Sequence, residues 1–178
     1  MTGRTRRMAW NGLIFCGVIV AGFWADTGSE FRMKAATLQY LMTIRMDQGN
    51  IVIRLFPDAA PSTVARVVEL IQKKFYNGLT FHRVEPNFVV QGGDPKGNGT
   101  GGSGVKLKAE FNSKRHVTGT VSMARGSDPN SADSQFFICL SPQASLDGKY
   151  TVIGQVISGM EVVRRIKRGD VMREVTVR

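Results

Sequence analysis

The sequence predicts a mainly β fold, a barrel or sandwich whose open ends are covered by helices. Three observations carry this. From Leu41 onward, short strand-like runs recur between turn residues. Only two stretches place apolar residues at helical spacing. Glycine is abundant, at 20 of 178 residues, and clusters in one stretch, so turns and loops are heavily used.

Taken in order, residues 41–46 alternate, Asp47-Gln48-Gly49-Asn50 supplies a turn, and residues 51–56 alternate again, which reads as a β-hairpin. Pro61-Ser62 opens a helix with Val64, Val67, Val68, Ile71 and Phe75 at helical spacing and Arg66, Glu69, Lys73 and Lys74 outward. Asn77-Gly78 is its predicted stop. Strand-like pieces come next at 80–84, 88–91, 118–123, 135–140 and 151–157. A second helix is predicted from Ser158 or Gly159 to Lys167, with Met160, Val163 and Ile166 on one face and Gly169 as its stop. Residues 174–177 form a last strand, and no internal repeat is visible.

The formal net charge of +10 permits a nucleic-acid or membrane-surface partner. The charges are scattered, however, without a basic stripe interleaved with aromatics, so a solvated basic protein and no nucleic-acid partner are predicted. Cys16 and Cys139 lack CxxC spacing, which argues against a disulfide framework. At the N-terminus, Arg4, Arg6 and Arg7 precede an uncharged run from Met8 to Ala25, the grammar of a signal peptide or membrane anchor. Phe23 sits where a cleavage site wants a small residue. The chain therefore divides into a signal or anchor at 1–25, a linker at 26–38 and a folded domain at 39–178. The alternative is that translation starts at Met33 or Met42 and the first segment is not made.

Several motifs carry little. Gly97-Asn98-Gly99-Thr100-Gly101-Gly102 fits G-x-G-x-x-G, but the adjoining Ser103-Gly104-Val105-Lys106 is not a helix start, so a dinucleotide site is not predicted. With only His82 and His116, the histidines are too few for a His-Cys metal cage. No serine sits in a Gly-x-Ser-x-Gly elbow for a hydrolase.

A dense constellation remains. Phe81-His82-Arg83 and Phe88-Val89-Val90-Gln91-Gly92-Gly93-Asp94 lie close together, followed by Ser122-Met123-Ala124, Ser134-Gln135-Phe136-Phe137-Ile138 and Leu146-Asp147-Gly148-Lys149-Tyr150. With the Leu55-Phe56-Pro57 hairpin and the glycine loop, these motifs occur in the order found in cyclophilin-type peptidyl-prolyl isomerases, which the chain resembles from Leu41 to Val177. The resemblance is to compact bacterial members. It implies a closed, antiparallel, eight-stranded β-barrel capped by two helices, and catalysis of Xaa-Pro cis/trans rotation without a cofactor.

The chemistry suits these residues. Rotation about an amide is opposed by about 18–20 kcal/mol of lost resonance. A catalyst needs an apolar pocket for the proline ring and a donor for the twisted nitrogen, and a guanidinium stays charged at every relevant pH. By resemblance, Arg83 is that donor. Phe88, Val89, Phe137 and Leu146 would form the proline pocket, and Gln91 would bond the substrate backbone and orient Arg83. Ala124 and Arg125 would offer backbone groups along the peptide groove, Gln135 would line it, and Gly99 and Thr100 would border a secondary pocket.

The pattern also departs from the family. Arg125 stands where many members have Asn, one extra residue lies between Ala124 and Ser134, Ser145 replaces the Trp of cyclosporin-sensitive members, and Tyr150 replaces a frequent His. Weak or no cyclosporin binding is expected. The expected partners are proline-containing polypeptides, with a possible membrane tether through residues 8–25, and the protein is expected to be a monomer. The expected location is the periplasm, free or anchored to the inner membrane, and the cytoplasm if translation starts late. The rival to an enzyme is a binding module or chaperone of the same fold with little catalysis.

Overall fold

The computed structural model describes residues 40–178, so the expected signal or anchor and the expected linker lie outside the described residues. Among the described residues no helix is long and apolar enough to cross a membrane.

The hairpin forms as its alternation predicts. β1 (Leu41–Met46) and β2 (Gly49–Leu55) pair antiparallel around Asp47-Gln48, burying Met42, Ile44 and Met46 on one strand and Ile51, Ile53 and Leu55 on the other. Arg173 clasps the turn by donating to both Asp47 carboxylate oxygens, at 2.9 and 2.7 Å. Helix α1 (Pro61–Gln72) starts at Pro61, where the missing N–H is no loss. Ala60 has no capping side chain, and Glu110 supplies the cap from a distant loop, accepting from the amides of Ser62 at 3.0 Å and Thr63 at 2.8 Å. The helix stops before Asn77-Gly78. Lys74 takes a left-handed φ of 57°, and the amides of Phe75 and Lys74 return to the carbonyls of Leu70 and Ile71. This two-bond C-terminal motif usually employs glycine.

The remaining strands are β3 (Arg83–Val84), β4 (Val89–Gly92), β5 (Thr120–Met123), β6 (Phe136–Cys139), β7 (Val152–Ser158) and β8 (Glu174–Val177). Helix α2 (Met160–Val163) is a single turn rather than the stretch expected to Lys167. Its continuation is carried by bonds from Arg165 to Val162 and from Ile166 to Val163, three residues back, which tighten the chain out of the α-helical path.

The eight strands form one antiparallel sheet ordered β3-β4-β6-β5-β7-β2-β1-β8. The expected closed barrel does not form: the sheet is an open, curled half-barrel whose edges, β3 and β8, share no ladder. The chain just before each edge strand bridges the gap. Gly78 donates to the carbonyl of Met172, Met172 to Leu79, Phe81 to Asp170, and Gly169 to Phe81. Gly78 and Gly169 hold φ of 81° and 96°, outside extended geometry, so only Thr80 and Val171 make a bridge of strand type. For the same reason the strand expected over 80–84 is reduced to its last two residues.

Side chains inside the curl form the main core, in which Ile44, Ile53, Phe81, Val90, Val121 and Ile138 are fully buried. Helix α1 packs on β8 and α2 on β2. A smaller apolar cluster, centred on Val89, Phe137 and Cys139, lies apart from that core.

Candidate active site

Register builds the site. Arg83 faces Gln91, Gln91 faces Phe137, and Phe137 faces Ser122, so β3, β4, β6 and β5 each contribute one residue to a single cross-strand row. The alternate residues, Val84, Val90, Ile138 and Val121, form the neighbouring row, whose last three members are fully buried in the main core. Because side chains alternate between faces with a period of two, the first row must lie on the other face.

A cavity of about 450 Å³ opens over that row. Val89 and Phe137, both nearly buried, line it with the half-buried Phe88, Leu146, Tyr150 and Ala124. Phe137 is locked in place, edge-to-face with Tyr150 at 5.6 Å and stacked on His116 at 6.0 Å. Arg83 stands at the mouth, its side chain 45% exposed. Its Nη1 donates to Gln91 Oε1 at 3.4 Å, its Nε lies 3.5 Å from Glu85, and its guanidinium carbon sits 5.7 Å from the centre of the Phe88 ring.

From Arg83 the hydrogen bonds run in one direction. Gln91 Nε2 donates to Gln135 Oε1 at 2.9 Å, and Gln135 Nε2 donates to the carbonyls of Gly99 and Gly101 at 3.0 and 2.8 Å. The glycine loop at the end of this chain is ordered by Asp94, which accepts from the amides of Lys96, Asn98 and Gly99. Burial alone would raise the Asp94 carboxyl, but those three amides outweigh it and hold the group below its usual value. The G-x-G-x-x-G amides nearest the aspartate thus face an anion belonging to the chain itself rather than a pyrophosphate.

A second cavity of about 270 Å³ adjoins the first, and Gly99, Thr100, Gln135 and Arg125 line it. Gly99, Gln91, Ala124 and Arg125 border both cavities. All the residues expected at the site are therefore gathered around these two adjoining spaces. Two details bear on the groove. The Ala124 amide is spent on the carbonyl of Gln135, within the sheet. The Arg125 side chain lies over the Tyr150 ring, its guanidinium carbon 4.7 Å from the centre.

Several lining residues are not signalled by the sequence. Arg168, Glu85 and Asn98 border the first cavity, and Lys106, Ser131 and Asp133 the second. His82 also lines the first, 7% exposed and with neither ring nitrogen hydrogen-bonded. Burial lowers its pKa, Asp94 opposes this, and Arg168 and Arg83 reinforce it, so the imidazole is held toward its neutral form. His116 has both hydrolase partners within reach, Asp147 at 2.9 Å and Ser122 at 3.2 Å. Ser122 is nevertheless fully buried and donates its hydroxyl to the Thr151 carbonyl at 2.8 Å, so it is not presented as a nucleophile. The trio instead ties the 144–150 loop to β5 at the residue opposite Phe137. Among the described residues no cluster of three or more metal-ligating side chains occurs.

Residues 41–178 match the family model of the cyclophilin type peptidyl-prolyl cis-trans isomerases. The chain is 48% identical over 135 residues to peptidyl-prolyl cis-trans isomerase B of Bacillus subtilis, covering 74% of this chain and 94% of that protein. It is 46% identical over 136 residues to a peptidyl-prolyl cis-trans isomerase of Synechococcus elongatus, covering 75% and 93% respectively. A crystal structure of a Cryptosporidium parvum cyclophilin type isomerase, obtained in the presence of the dipeptide Ala-Pro, superposes with a TM-score of 0.72 at 26% identity, over 78% of this chain and 98% of that one. On fold, motifs and relatives together, the chain belongs to the cyclophilin-type peptidyl-prolyl cis-trans isomerases.

Proposed function

We propose that this chain accelerates Xaa-Pro rotation in polypeptide clients during protein folding, with Arg83 as the catalytic residue. The observation that carries this is the placement of the Arg83 guanidinium at the rim of a pocket with an apolar floor of Val89, Phe137 and Leu146, positioned by Gln91, Glu85 and the Phe88 ring. Among the described residues its Nη2 has no hydrogen-bond partner, which leaves donors for a substrate. In the planar amide the prolyl nitrogen shares its lone pair with the carbonyl and accepts poorly. As the bond twists, the nitrogen becomes pyramidal and its lone pair becomes available. A donor already in place then stabilises the twisted state more than either planar isomer. Phe88, Val89, Phe137 and Leu146 hold the ring, while Gln91, Gln135 and the loop at Gly99 and Thr100 align the chain on either side. That the crystal structure of the Cryptosporidium relative was obtained in the presence of Ala-Pro supports a proline-containing ligand for the same fold.

The test is isomerisation of a short Ala-Pro peptide by the full chain, followed by NMR exchange, with wild type beside Arg83→Ala. Removing a preorganised donor to a developing charge lowers turnover by about 10²–10³ in other enzymes, and a loss of that order is expected here, with KM changing less. Unchanged turnover would overturn the assignment. No catalysis by the folded wild type would move the reading to a binding module.

Two single segments support further proposals. Ser145 sits in the 3₁₀ turn Ala144–Leu146 beside the pocket and brings no indole, so cyclosporin should inhibit weakly; submicromolar inhibition would contradict this. The basic start and the apolar run from Met8 to Ala25 support export or anchoring, which cell fractionation with an antibody to the domain tests directly.

A further inference from the structure

Among the described residues, two arginines at the paired cavities have no carboxylate to meet. Arg83, Arg125, Arg168 and Lys106 line the two spaces against only two acids, Glu85 and Asp133. Glu85 lies 3.5 Å from Arg83, and Asp133 lies 3.5 Å from Lys106. Asp133 also accepts from the amide and hydroxyl of Ser103 and from the amide of Gly104. Among the described residues, Arg125 and Arg168 are left without an acidic partner.

Arg125 is nonetheless fixed. Its Nε and Nη2 both donate to the carbonyl of Lys149, at 3.1 and 3.0 Å, and its Nη1 donates to the carbonyls of Gly126 and Ser127, at 2.8 and 3.2 Å. Its guanidinium carbon lies 4.7 Å from the centre of the Tyr150 ring. A guanidinium carries about five N–H donors. Four are spent on neutral acceptors here, so one N–H on Nη2 remains, attached to a full positive charge without a counter-ion. Much of the entropy of ordering this side chain has already been lost in the free protein, which favours capture of an anion. Arg125 also borders both cavities, so a peptide running from one to the other passes it. Arg168 adds a second unmatched charge to the first cavity, beside His82.

We propose that this site selects clients carrying an aspartate or glutamate within two residues of the proline, with Arg125 as the principal specificity residue and Arg168 as the secondary one. An extended peptide advances about 3.4 Å per residue, so such a side chain starts within about 7 Å of the proline held in the pocket. The inference rests on the isomerase reading of the same pocket and adds the class of client to it.

The test compares kcat/KM of the full chain on matched peptides bearing Glu, Gln or Lys at the positions flanking Xaa-Pro, at low and high salt. Partly exposed charge pairs contribute about 0.2–1 kcal/mol, so Glu peptides should exceed Gln peptides by up to about fivefold. Lys peptides should fall below both, and the spread should narrow at high salt. Arg125→Gln should bring the Glu-to-Gln ratio close to one, and Arg168→Gln should reduce it in part. Equal rates for Glu and Gln peptides in the wild type would overturn the inference and leave the isomerase reading standing, since the Gln peptide still turns over. Absence of turnover on every peptide would overturn the isomerase reading instead. If Arg125→Gln does not fold, the exposed Arg168→Gln and the wild-type salt series decide the matter: a ratio indifferent to both would overturn the proposal.

Discussion

The same two strands serve two very different faces of the sheet. On β4 and β6, Val90, Phe136 and Ile138 enter a continuous apolar core and are at most 1% exposed. One residue along each strand, Val89, Gln91, Phe137 and Cys139 face a small cluster and an open cavity. The inner face is held by burial, with Phe136 edge-on to Tyr76 and Phe81 within the apolar core. The outer face depends on aromatic contacts, a directed chain of amides and a histidine–aspartate tie. Rigidity is thus supplied from behind, while the front keeps groups free to meet a ligand.

The comparison is broken or sharpened most strongly by exchanging damage between the faces. Ile138→Ala should cost about 2–5 kcal/mol of stability, read from the urea midpoint, because the main core cannot collapse fully onto the gap. The molecules that remain folded should keep near-normal turnover. Phe137→Leu should do the opposite. Leucine keeps a branched apolar side chain but is three carbons smaller, so the swap should cost about 1–2 kcal/mol, less than truncation to alanine. Loss of the stacked and edge-on aromatic contacts should nevertheless lower kcat/KM roughly tenfold, equivalent to about 1.4 kcal/mol of transition-state binding. If the two variants lose stability and activity in the same proportion, the division between faces fails.

Acid probes the loop on the outer side. Asp94 titrates below its usual value in the folded chain, so its contribution to stability is present above the unfolded value near about pH 4 and is lost as pH falls from there through the folded value. Asp94→Asn should lower stability at neutral pH and flatten that acid limb, as acid-unfolding curves would show. The smallest expected effect is at Cys139. Burial, reinforced by the Asp147 charge, pushes its thiol up to about 12, so very little thiolate exists at pH 8. In a Cys16→Ser variant, iodoacetamide should label the native chain far more slowly than the denatured one. Fast native labelling would mean that the outer cluster opens readily.

Legibility followed the range of the interactions. β1 and β8 have the predicted bounds, because alternation is local and hydrophobic periodicity reports it directly. The start of α1 at Pro61 was readable for the same reason. Its stop was not: Lys74 supplies the left-handed residue, a role that sequence rules give to the glycine of Asn77-Gly78. The single-turn α2 and the open sheet depend on how distant segments meet, which periodicity does not encode. Arg83, Gln91 and Phe137 could be named from their motifs, but the cross-strand row joining them is a matter of register. Arg168 and the capping Glu110 carry no local signal, because their partners come from distant parts of the chain.

The gap between β3 and β8 has a consequence for biosynthesis. β3 is two residues long, and the segment leading into it is held by the chain at 169–172, which is made long after it. A nascent chain lacking that stretch can pair the central strands, yet its Arg83 strand hangs from β4 alone. Since contacts between segments far apart in sequence form late, the strand that carries Arg83 is fixed only once residues 169–172 have joined the segment before it, and until then its guanidinium has no set place at the pocket.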